Sequence, residues 1–254
     1  MPTIPLSASV GKDAVNKPAD VRALKTRLVT LGFNWLAADS AMGPETVRVI
    51  MLFQAIKNGF NVLTDPRNDG KIDPNGDSHL WLQAENAPRW GLLPAGSKLE
   101  GWINDELADT SDNHDFGANW LSDVISAAGK TYLNDYVKTH PKASLLRVND
   151  ISMPRGGPTP SHATHQAGMC CDLKLPKLNG QAGGITYKDP SYDQLAARAM
   201  LEAMWAQPQT SRLFFNDPVL IAEGLCQAVS GHDNHLHFEI KPPVRVMTAV
   251  RPRR

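Results

Sequence analysis

Polar and apolar positions alternate most clearly in GHDNHLHFEI, residues 231–240, which holds three of the eight histidines of the chain. Within HLHFEI, the polar residues His235, His237 and Glu239 alternate with three apolar residues. A period of two predicts a strand with both imidazoles on one face. Imidazole is the commonest protein metal ligand, so this face is a candidate metal site; the alternative is a solvated polar face.

Apolar residues spaced three and four apart predict short helices in the first third of the chain. In DVRALKTRLVTLGF, Asp20 is the expected N-cap and Gly32 the expected end. In PETVRVIMLFQAIKNGF, Pro44 suits the first turn and Gly59 ends the helix. A third short helix is expected at HLWLQ. Residues 1–84 are therefore predicted to form a small three-helix bundle.

The rest of the chain mixes helices and strands. Residues 85–113 are rich in proline, glycine and acidic residues, which is typical of a linker. In 114–254, helices are predicted at FGANWLSDVISAAGKTYLNDYVKTH and YDQLAARAMLEAMWAQ, and strands at LLRVNDISM, MCCDLKL and HLHFEI. RLFF and VLIAEG fit either strands or short helical turns. The pattern predicts an α+β fold, with the helical bundle followed by an α+β domain that has a mainly antiparallel sheet.

The amino-acid composition argues against several classes of protein. The 26 basic and 26 acidic side chains balance, which argues against a general attraction to nucleic acid. No apolar run approaches the roughly 20 residues of a membrane helix, so membrane insertion is not expected. The three cysteines, Cys170, Cys171 and Cys226, are odd in number and two are adjacent, so a disulfide framework is not expected. We expect them to be small buried side chains in a protein that folds in a reducing compartment.

A second histidine-rich stretch, SHATHQAGMCCDLKL, supplies further candidate ligands. Asp172 lies in an otherwise apolar predicted strand and needs a partner, either a metal ion or a basic side chain. From His165, Asp172, His235 and His237, two histidines and the carboxylate can serve as ligands with one position left open. Catalytic zinc sites have this arrangement, whereas structural zinc sites are closed and rich in cysteine. An open zinc site suits the hydrolysis of an amide.

The two stretches together resemble the HxxGxxxD and HxH motifs of the LAS peptidases. PRGGPTPSHATHQAGMCCDLKL is similar to the glycine-rich approach and first metal motif of the penicillin-insensitive murein endopeptidases. GHDNHLHFEI is similar to their final histidine-rich strand. The resemblance covers roughly residues 114–245. It implies a zinc peptidase domain that acts on peptidoglycan.

The resemblance also implies residue roles. His165, Asp172 and His237 would be the zinc ligands. His235, the first histidine of the HxH pair, would be the catalytic base or would stabilise the transition state. His232 would bind substrate or orient the water, with an exposed loop histidine as the alternative.

Two further residues are candidates for binding substrate. His162 is expected to line the cleft, and Arg155 to meet a substrate carboxylate, with a simple surface arginine as the alternative for Arg155. The chain departs from the family pattern at Cys170 and Cys171, where a small residue and an aliphatic or acidic residue are usual. Cys170 should lie near the metal, as a spare soft ligand or an oxidation-sensitive neighbour.

The first third carries a looser resemblance. DVRALKTRLVTLGF, GPETVRVIMLFQ, DGKIDP and HLWL are similar to the three-helix peptidoglycan-binding module over roughly residues 10–84. This resemblance implies binding to the cell wall through a shallow groove. A generic helical bundle is the alternative.

Together these features lead us to expect a zinc-dependent peptidoglycan hydrolase that cuts the cross-link between D-Ala and diaminopimelate. An L-Ala–D-Glu peptidase, a D,D-carboxypeptidase and a non-catalytic wall-binding protein are the alternatives. Peptidoglycan is the expected partner and a monomer the expected state. The N-terminal sequence shows no secretory signal, so we expect synthesis in the cytoplasm and action on the wall after release, as a phage endolysin or an exported antibacterial toxin.

Overall fold

Helices and mainly antiparallel sheets make up the fold, in agreement with the predicted α+β class. The computed structural model describes residues 4–109, 111, 113–160 and 162–247. Within these ranges it has six α-helices and ten short strands. None of the helices in the described ranges combines the length and apolarity needed to cross a membrane.

The first third contains three helices, as predicted. They are α1 (Pro18–Thr30), α2 (Pro44–Asn58) and α3 (Asp77–Gln83), accompanied by the antiparallel pair β1 (Val10–Gly11) and β2 (Lys71–Ile72). Helix α2 begins at Pro44 and ends before Gly59, whose φ of 73° is the left-handed conformation that glycine adopts without steric cost. Both predicted ends of α2 are confirmed.

Asp20 does not cap α1. The helix begins two residues earlier, at Pro18, with Lys17 as its N-cap residue and no side-chain capping bond. The buried carboxylate of Asp20 instead accepts hydrogen bonds from the backbone N–H groups of Ser7 and Ala8. The predicted N-cap is therefore wrong, because proline at the first helical position starts the helix and frees Asp20 to bind the preceding segment.

A six-stranded sheet forms the centre of the remaining chain. In spatial order its strands are β4 (Gly96–Ser97), β5 (Trp102–Asn104), β7 (Leu146–Val148), β8 (Cys170–Lys174), β10 (His235–Ile240) and β9 (Thr210–Phe214). Only the β5–β7 pair is parallel. Strands β3 (Trp90–Leu92) and β6 (Phe116–Ala118) form a separate antiparallel pair. Helices α4 (Asn119–Tyr132) and α5 (Gln194–Trp205) pack on each other, and α6 (Pro218–Ala222) is a short turn after β9.

Residues 85–113 differ from the predicted linker. Strands β3, β4 and β5 lie in this segment. Of these, β4 is an edge strand of the six-stranded sheet and β5 lies next to it. The Trp102 side chain is almost fully buried there. Gly91 and Gly96, which suggested a linker, lie in β3 and β4, and Gly101 makes a tight turn before β5. Gly101 has a φ of 78°, and a Cβ there would lie 2.1 Å from the carbonyl oxygen of Gly129.

The helical region, residues 1–84, directly contacts the glycine-rich loop at Gly156 and Gly157 through helix α2. Arg48 on α2 donates a hydrogen bond of 2.9 Å to the carbonyl oxygen of Gly156. A Cβ at Gly156 would lie 2.9 Å from the Leu52 side chain, so α2 and this loop are in close contact. The loop leads into His165, which places the helical region next to the candidate site.

Candidate metal centre

Two neighbouring strands and one loop bring the three predicted ligands together. Asp172 on β8 lies directly opposite His237 on β10 in the antiparallel register. His165, in the loop before β8, has a φ of 62°, an uncommon backbone conformation for a residue other than glycine. All three side chains are buried, with residue exposures of 1–3%. Strand pairing and the loop conformation thus bring these three side chains together.

The donor atoms lie close enough together to share one metal ion. His237 Nδ1 lies 2.8 Å from Asp172 Oδ1, His165 Nε2 lies 3.3 Å from the same oxygen, and the two nitrogens are 3.2 Å apart. In a tetrahedral site with bonds of about 2.0–2.1 Å, neighbouring donors lie about 3.3 Å apart. Two of the three separations match this spacing and the third is shorter, so a small shift of His237 or Asp172 would place the three atoms around one zinc-sized ion.

The other nitrogen of each histidine ring is held by the protein. His165 Nδ1 donates to the carbonyl oxygen of Ile151 at 2.8 Å. His237 Nε2 donates to Glu239 Oε1 at 3.3 Å, and Arg212 Nε donates to the other oxygen of Glu239 at 2.5 Å. Such outer contacts fix the tautomer and orientation of a ligating histidine. Alternation placed Glu239 on the correct face, but its role in orienting His237 was not predicted.

The candidate ligands shift one another's pKa values when no metal is bound. Burial alone would raise the pKa of Asp172, but hydrogen bonds from His165 and His237 pull it far below its ordinary range. Burial alone would lower the pKa of His165, but the charge of Cys170 and the hydrogen bond to Asp172 raise it to about 10. The pKa of His237 is likewise raised to about 12 against the effect of burial, chiefly by Asp172. Both imidazoles therefore hold protons that a cation would replace.

Cys170 lies beside the ligands, as predicted. Its sulfur and the ring nitrogens of His165 and His237 lie within 4.8 Å of one another. Burial alone would raise the pKa of this thiol, but the two histidines lower it to about 6. Burial instead raises the pKa of Cys171, which is part of the hydrophobic core. All three cysteines are free and buried, as expected.

His235 lies beside Asp172 and is more exposed than the three candidate ligands. Its Nε2 is 3.6 Å from Asp172 Oδ2, and its Nδ1 is 2.8 Å from Asn234 Oδ1. The side chain is 24% exposed, in contrast to 4% for that of His237. Burial, opposed by the charge of Asp172, lowers the pKa of His235. A neutral imidazole at neutral pH is thus directed at the site without being enclosed in it.

A cavity of about 430 Å³ opens on this side. Asp172, His235 and His162 are among its lining residues, which places His162 in the cleft where it was predicted. His162 Nδ1 is 3.7 Å from Asp172 Oδ2, and its Nε2 is 3.3 Å from Asp150 Oδ2. Asp150 also lines the cavity and was not predicted, because nothing in its local sequence pattern distinguishes it from a loop aspartate.

The other two predicted residues are less closely placed. The His232 ring centroid lies 4.8 Å from that of His235, but its Nδ1 contacts the backbone carbonyl oxygens of Val229 and Ser230. His232 is not among the residues that line the cavity. The Arg155 side chain is 62% exposed, and its Nη1 lies 4.0 Å from Glu45 Oε1. It too is absent from the cavity lining, in keeping with the surface alternative.

Gln166, the residue after His165, ties the ligand loop to the helical region. Its backbone N–H donates to the carbonyl oxygen of Asn61 at 3.2 Å. Its Oε1 accepts a hydrogen bond of 3.1 Å from the buried backbone N–H of Leu63. Gln166 was not singled out from the sequence. Its contacts indicate that the segment of Asn61 and Leu63 helps to hold His165 in position.

We predict that Gln166→Ala weakens both the fold and the metal site. The lost acceptor leaves the Leu63 N–H buried without a partner, which costs about 1–3 kcal/mol of unfolding free energy. Metal affinity should also fall, because the loop that positions the neighbouring His165 loses its tie to Leu63. Urea unfolding of metal-free protein and competition with a chelator measure the two effects. The exposed Gln181→Ala is the control, and equal results for the two variants would contradict the prediction.

A comparison of the chain with protein-family models and with curated proteins found no match.

Proposed function

We propose that the chain is a zinc-dependent peptidoglycan hydrolase that cuts peptide cross-links of the bacterial wall. The observation that carries the proposal is the position of three candidate ligands beside an accessible cavity. His165, Asp172 and His237 supply three donor atoms 2.8–3.3 Å apart, and Asp172 also lines a cavity together with His235. Catalytic zinc sites keep one position for water or substrate.

His165, Asp172 and His237 would hold the metal. Two imidazoles and a carboxylate suit zinc among the divalent metals that accept nitrogen and oxygen ligands. Bound zinc would polarise the carbonyl of an amide and activate water. The burial of the three donors, together with the contacts of their outer nitrogens, keeps the ligands in one geometry during the reaction.

His235 has the features of the proton-transferring group. Its Nδ1 contacts Asn234, which leaves Nε2 directed at the cavity and at Asp172 Oδ2. A neutral imidazole can take a proton from the attacking water and return it to the leaving amine. In its protonated form the same ring can stabilise the negative charge that develops on the scissile carbonyl oxygen.

The cavity also suits a peptide that carries carboxylates. Lys174 lies on β8 opposite His235 and lines the cavity, with its Nζ 3.2 Å from Asp105 Oδ2. Its side chain is 34% exposed, so the ammonium can approach an anionic group of the substrate. We propose the D-Ala to diaminopimelate bond as the one cut, on the strength of the motif resemblance. L-Ala–D-Glu cleavage and D,D-carboxypeptidation are the alternatives that product analysis distinguishes.

The helical region would bind the wall. A groove of about 640 Å³ runs beside α1, with Pro18, Arg22, Thr26 and Thr30 among its lining residues. Its mixture of apolar and hydrogen-bonding side chains suits a glycan or peptide strand. Binding of this region to an insoluble polymer would raise the concentration of substrate near the cavity.

Digestion of purified peptidoglycan tests the proposal. Wild-type protein, chelator-treated protein, His235→Ala and a control with the exposed His140→Ala would be incubated with the wall, and the products separated by mass. We expect cross-linked dimers to become monomers with wild type and with the control only. A wild type that pellets with the wall but releases no product would instead indicate a non-catalytic wall-binding protein.

Metal affinity should increase steeply with pH. The pKa values of His165 and His237 are raised to about 10 and about 12 without metal, so both rings are protonated at pH 7. Zinc must replace about two protons, and its apparent affinity should change by up to about 100-fold per pH unit, falling as the pH falls. Calorimetry at pH 7 in buffers of different ionisation enthalpy measures the protons released. Binding heats that do not depend on the buffer would contradict the prediction.

A further inference from the structure

A second group of metal-binding side chains lies beside the first. His114 Nδ1 is 3.4 Å from Asp150 Oδ1, and His162 Nε2 is 3.3 Å from Asp150 Oδ2. The donor atoms of these three residues lie within 4.8 Å of one another. None of the three belongs to the ligand set of His165, Asp172 and His237.

The fold builds this group from three separate segments. His114 precedes β6, Asp150 follows β7, and His162 lies in the loop before β8. The backbone N–H groups of Ile151 and Ser152 both donate to the carbonyl oxygen of His114, at 2.6 and 3.1 Å. This pairing holds the segment of His114 against the segment of Asp150. Because the Ile151 carbonyl also accepts from His165, one stretch of backbone supports both groups of ligands.

His162 is oriented as a metal ligand would be. One ring nitrogen, Nε2, faces Asp150, and the other, Nδ1, faces Asp172 Oδ2 at 3.7 Å. Ligating histidines commonly direct their second nitrogen at a carboxylate in this way. Asp172 would therefore bind the first metal through Oδ1 and orient a ligand of the second through Oδ2.

The spacing also suits a cation between the side chains. The two distances here, 3.3 and 3.4 Å, are close to the donor spacing of about 3.3 Å in a tetrahedral zinc site. The two histidines face different oxygens of Asp150, so the carboxylate can approach an ion with both.

The group is more accessible than the first ligand set. The side chains of Asp150 and His162 are 20% and 18% exposed, and both line the cavity that Asp172 and His235 also line. An ion held there would face the same cavity as the first metal. Greater access to water implies weaker binding, so the two ions should differ in affinity.

We propose that His114, Asp150 and His162 form a second site for a divalent cation of the zinc class, next to the first and open to the same cavity. Nitrogen and oxygen donors of this kind accept Zn²⁺ and Co²⁺. The site goes beyond the proposed function, because it depends only on the ligands and stands whether or not the chain cuts peptidoglycan.

Metal stoichiometry tests the second site. Chelator-stripped protein would be equilibrated with excess Zn²⁺, separated from free metal and analysed by mass spectrometry for bound zinc. A Co²⁺ titration followed by visible absorption would resolve the tighter and weaker ions. The variants are Asp150→Asn and His114→Gln for the second site, and His237→Gln for the first. His140→Gln, an exposed histidine elsewhere, is the matched control.

We expect about two ions per chain for wild type and His140→Gln, and about one for each of the three site variants. The ion lost from Asp150→Asn should be the weaker one, and the ion lost from His237→Gln the tighter one. Circular dichroism confirms that each variant is folded; because His114 is buried, Asp150→Asn decides the result if His114→Gln does not fold.

A wild type that binds about one ion, or an Asp150→Asn variant that keeps both, overturns the second site. These outcomes are separate from those of the digestion experiment. A protein that binds one ion and cuts the wall refutes the second site alone. A protein that binds two ions and cuts nothing refutes the proposed function alone.

Discussion

Asp172→Asn should abolish tight metal binding and destabilise the metal-free protein. Oδ1 of Asp172 contacts both His165 Nε2 and His237 Nδ1 in a site where its side chain is 4% exposed. Loss of a direct ligand should reduce affinity by more than the roughly 10–100-fold that an outer contact costs. Without metal, two buried imidazolium rings would lose their counter-charge, at a cost of about 3–5 kcal/mol. Chelator competition and urea unfolding at pH 7 measure the two effects.

The destabilisation by Asp172→Asn should depend on pH. The pKa of Asp172 is lowered in the folded protein, so its contribution to stability is present above its unfolded value of 3.8 and is lost as the pH falls below it. Wild type and variant should therefore become more alike in acid. Asp123→Asn, at an exposed position on α4, is the control and should change stability by about 0.5 kcal/mol or less. A variant that still binds zinc as wild type does would contradict the ligand assignment.

His235→Gln should abolish most activity and leave the metal in place. His235 faces the cavity. Its Nε2 lies 3.6 Å from Asp172 Oδ2, whereas the nitrogens of His165 and His237 approach the other oxygen, Oδ1. Loss of a group that transfers protons in the transition state typically lowers kcat by about 10²–10⁴-fold. Product release from purified peptidoglycan gives the rate, and mass spectrometry the bound zinc.

The acidic side of the pH–rate profile provides a further readout for His235. Burial lowers the pKa of this imidazole below its ordinary 6.5, so it stays neutral, and able to accept a proton, into mildly acidic conditions. Wild-type activity limited by His235 should therefore persist below that pH. A His235→Gln variant that loses its zinc would make His235 a ligand instead, and one with normal rates would remove it from catalysis. His140→Gln again serves as the control.

Local pattern was sufficient for the strands that carry the ligands. Alternation in HLHFEI predicted β10 and placed His237 and Glu239 on the same face. His237 Nε2 and Glu239 Oε1 are 3.3 Å apart there. MCCDLKL predicted β8 and placed Cys170 on the side of Asp172. Proline at the start and glycine at the end predicted α2. These features depend on neighbours within a few residues, and a periodic backbone converts such spacing directly into direction.

Local pattern failed where one residue type serves two structures. Glycine and proline mark flexible linkers and tight turns alike, so 85–113 was predicted as a linker although it contributes β4 and β5 to the sheet. Asp20 is a residue type that commonly caps helices, but its carboxylate accepts hydrogen bonds from the backbone N–H groups of Ser7 and Ala8 instead. Both outcomes involve contacts with segments distant in the chain: β5 pairs with β7, and Asp20 binds Ser7 and Ala8.

The amino-acid sequence alone was enough to predict the α+β class, the strands that carry the candidate ligands and the three residues whose donor atoms meet. Tertiary contacts determined the rest: Glu239 and Ile151 as partners of the ligating rings, Gln166 as the tie to the helical region, and the meeting of His114 with Asp150 and His162. The parallel pairing of β5 with β7 is of the same kind. Spacing along the chain determines which face of an element a side chain occupies, but contacts between distant segments depend on how the whole core packs.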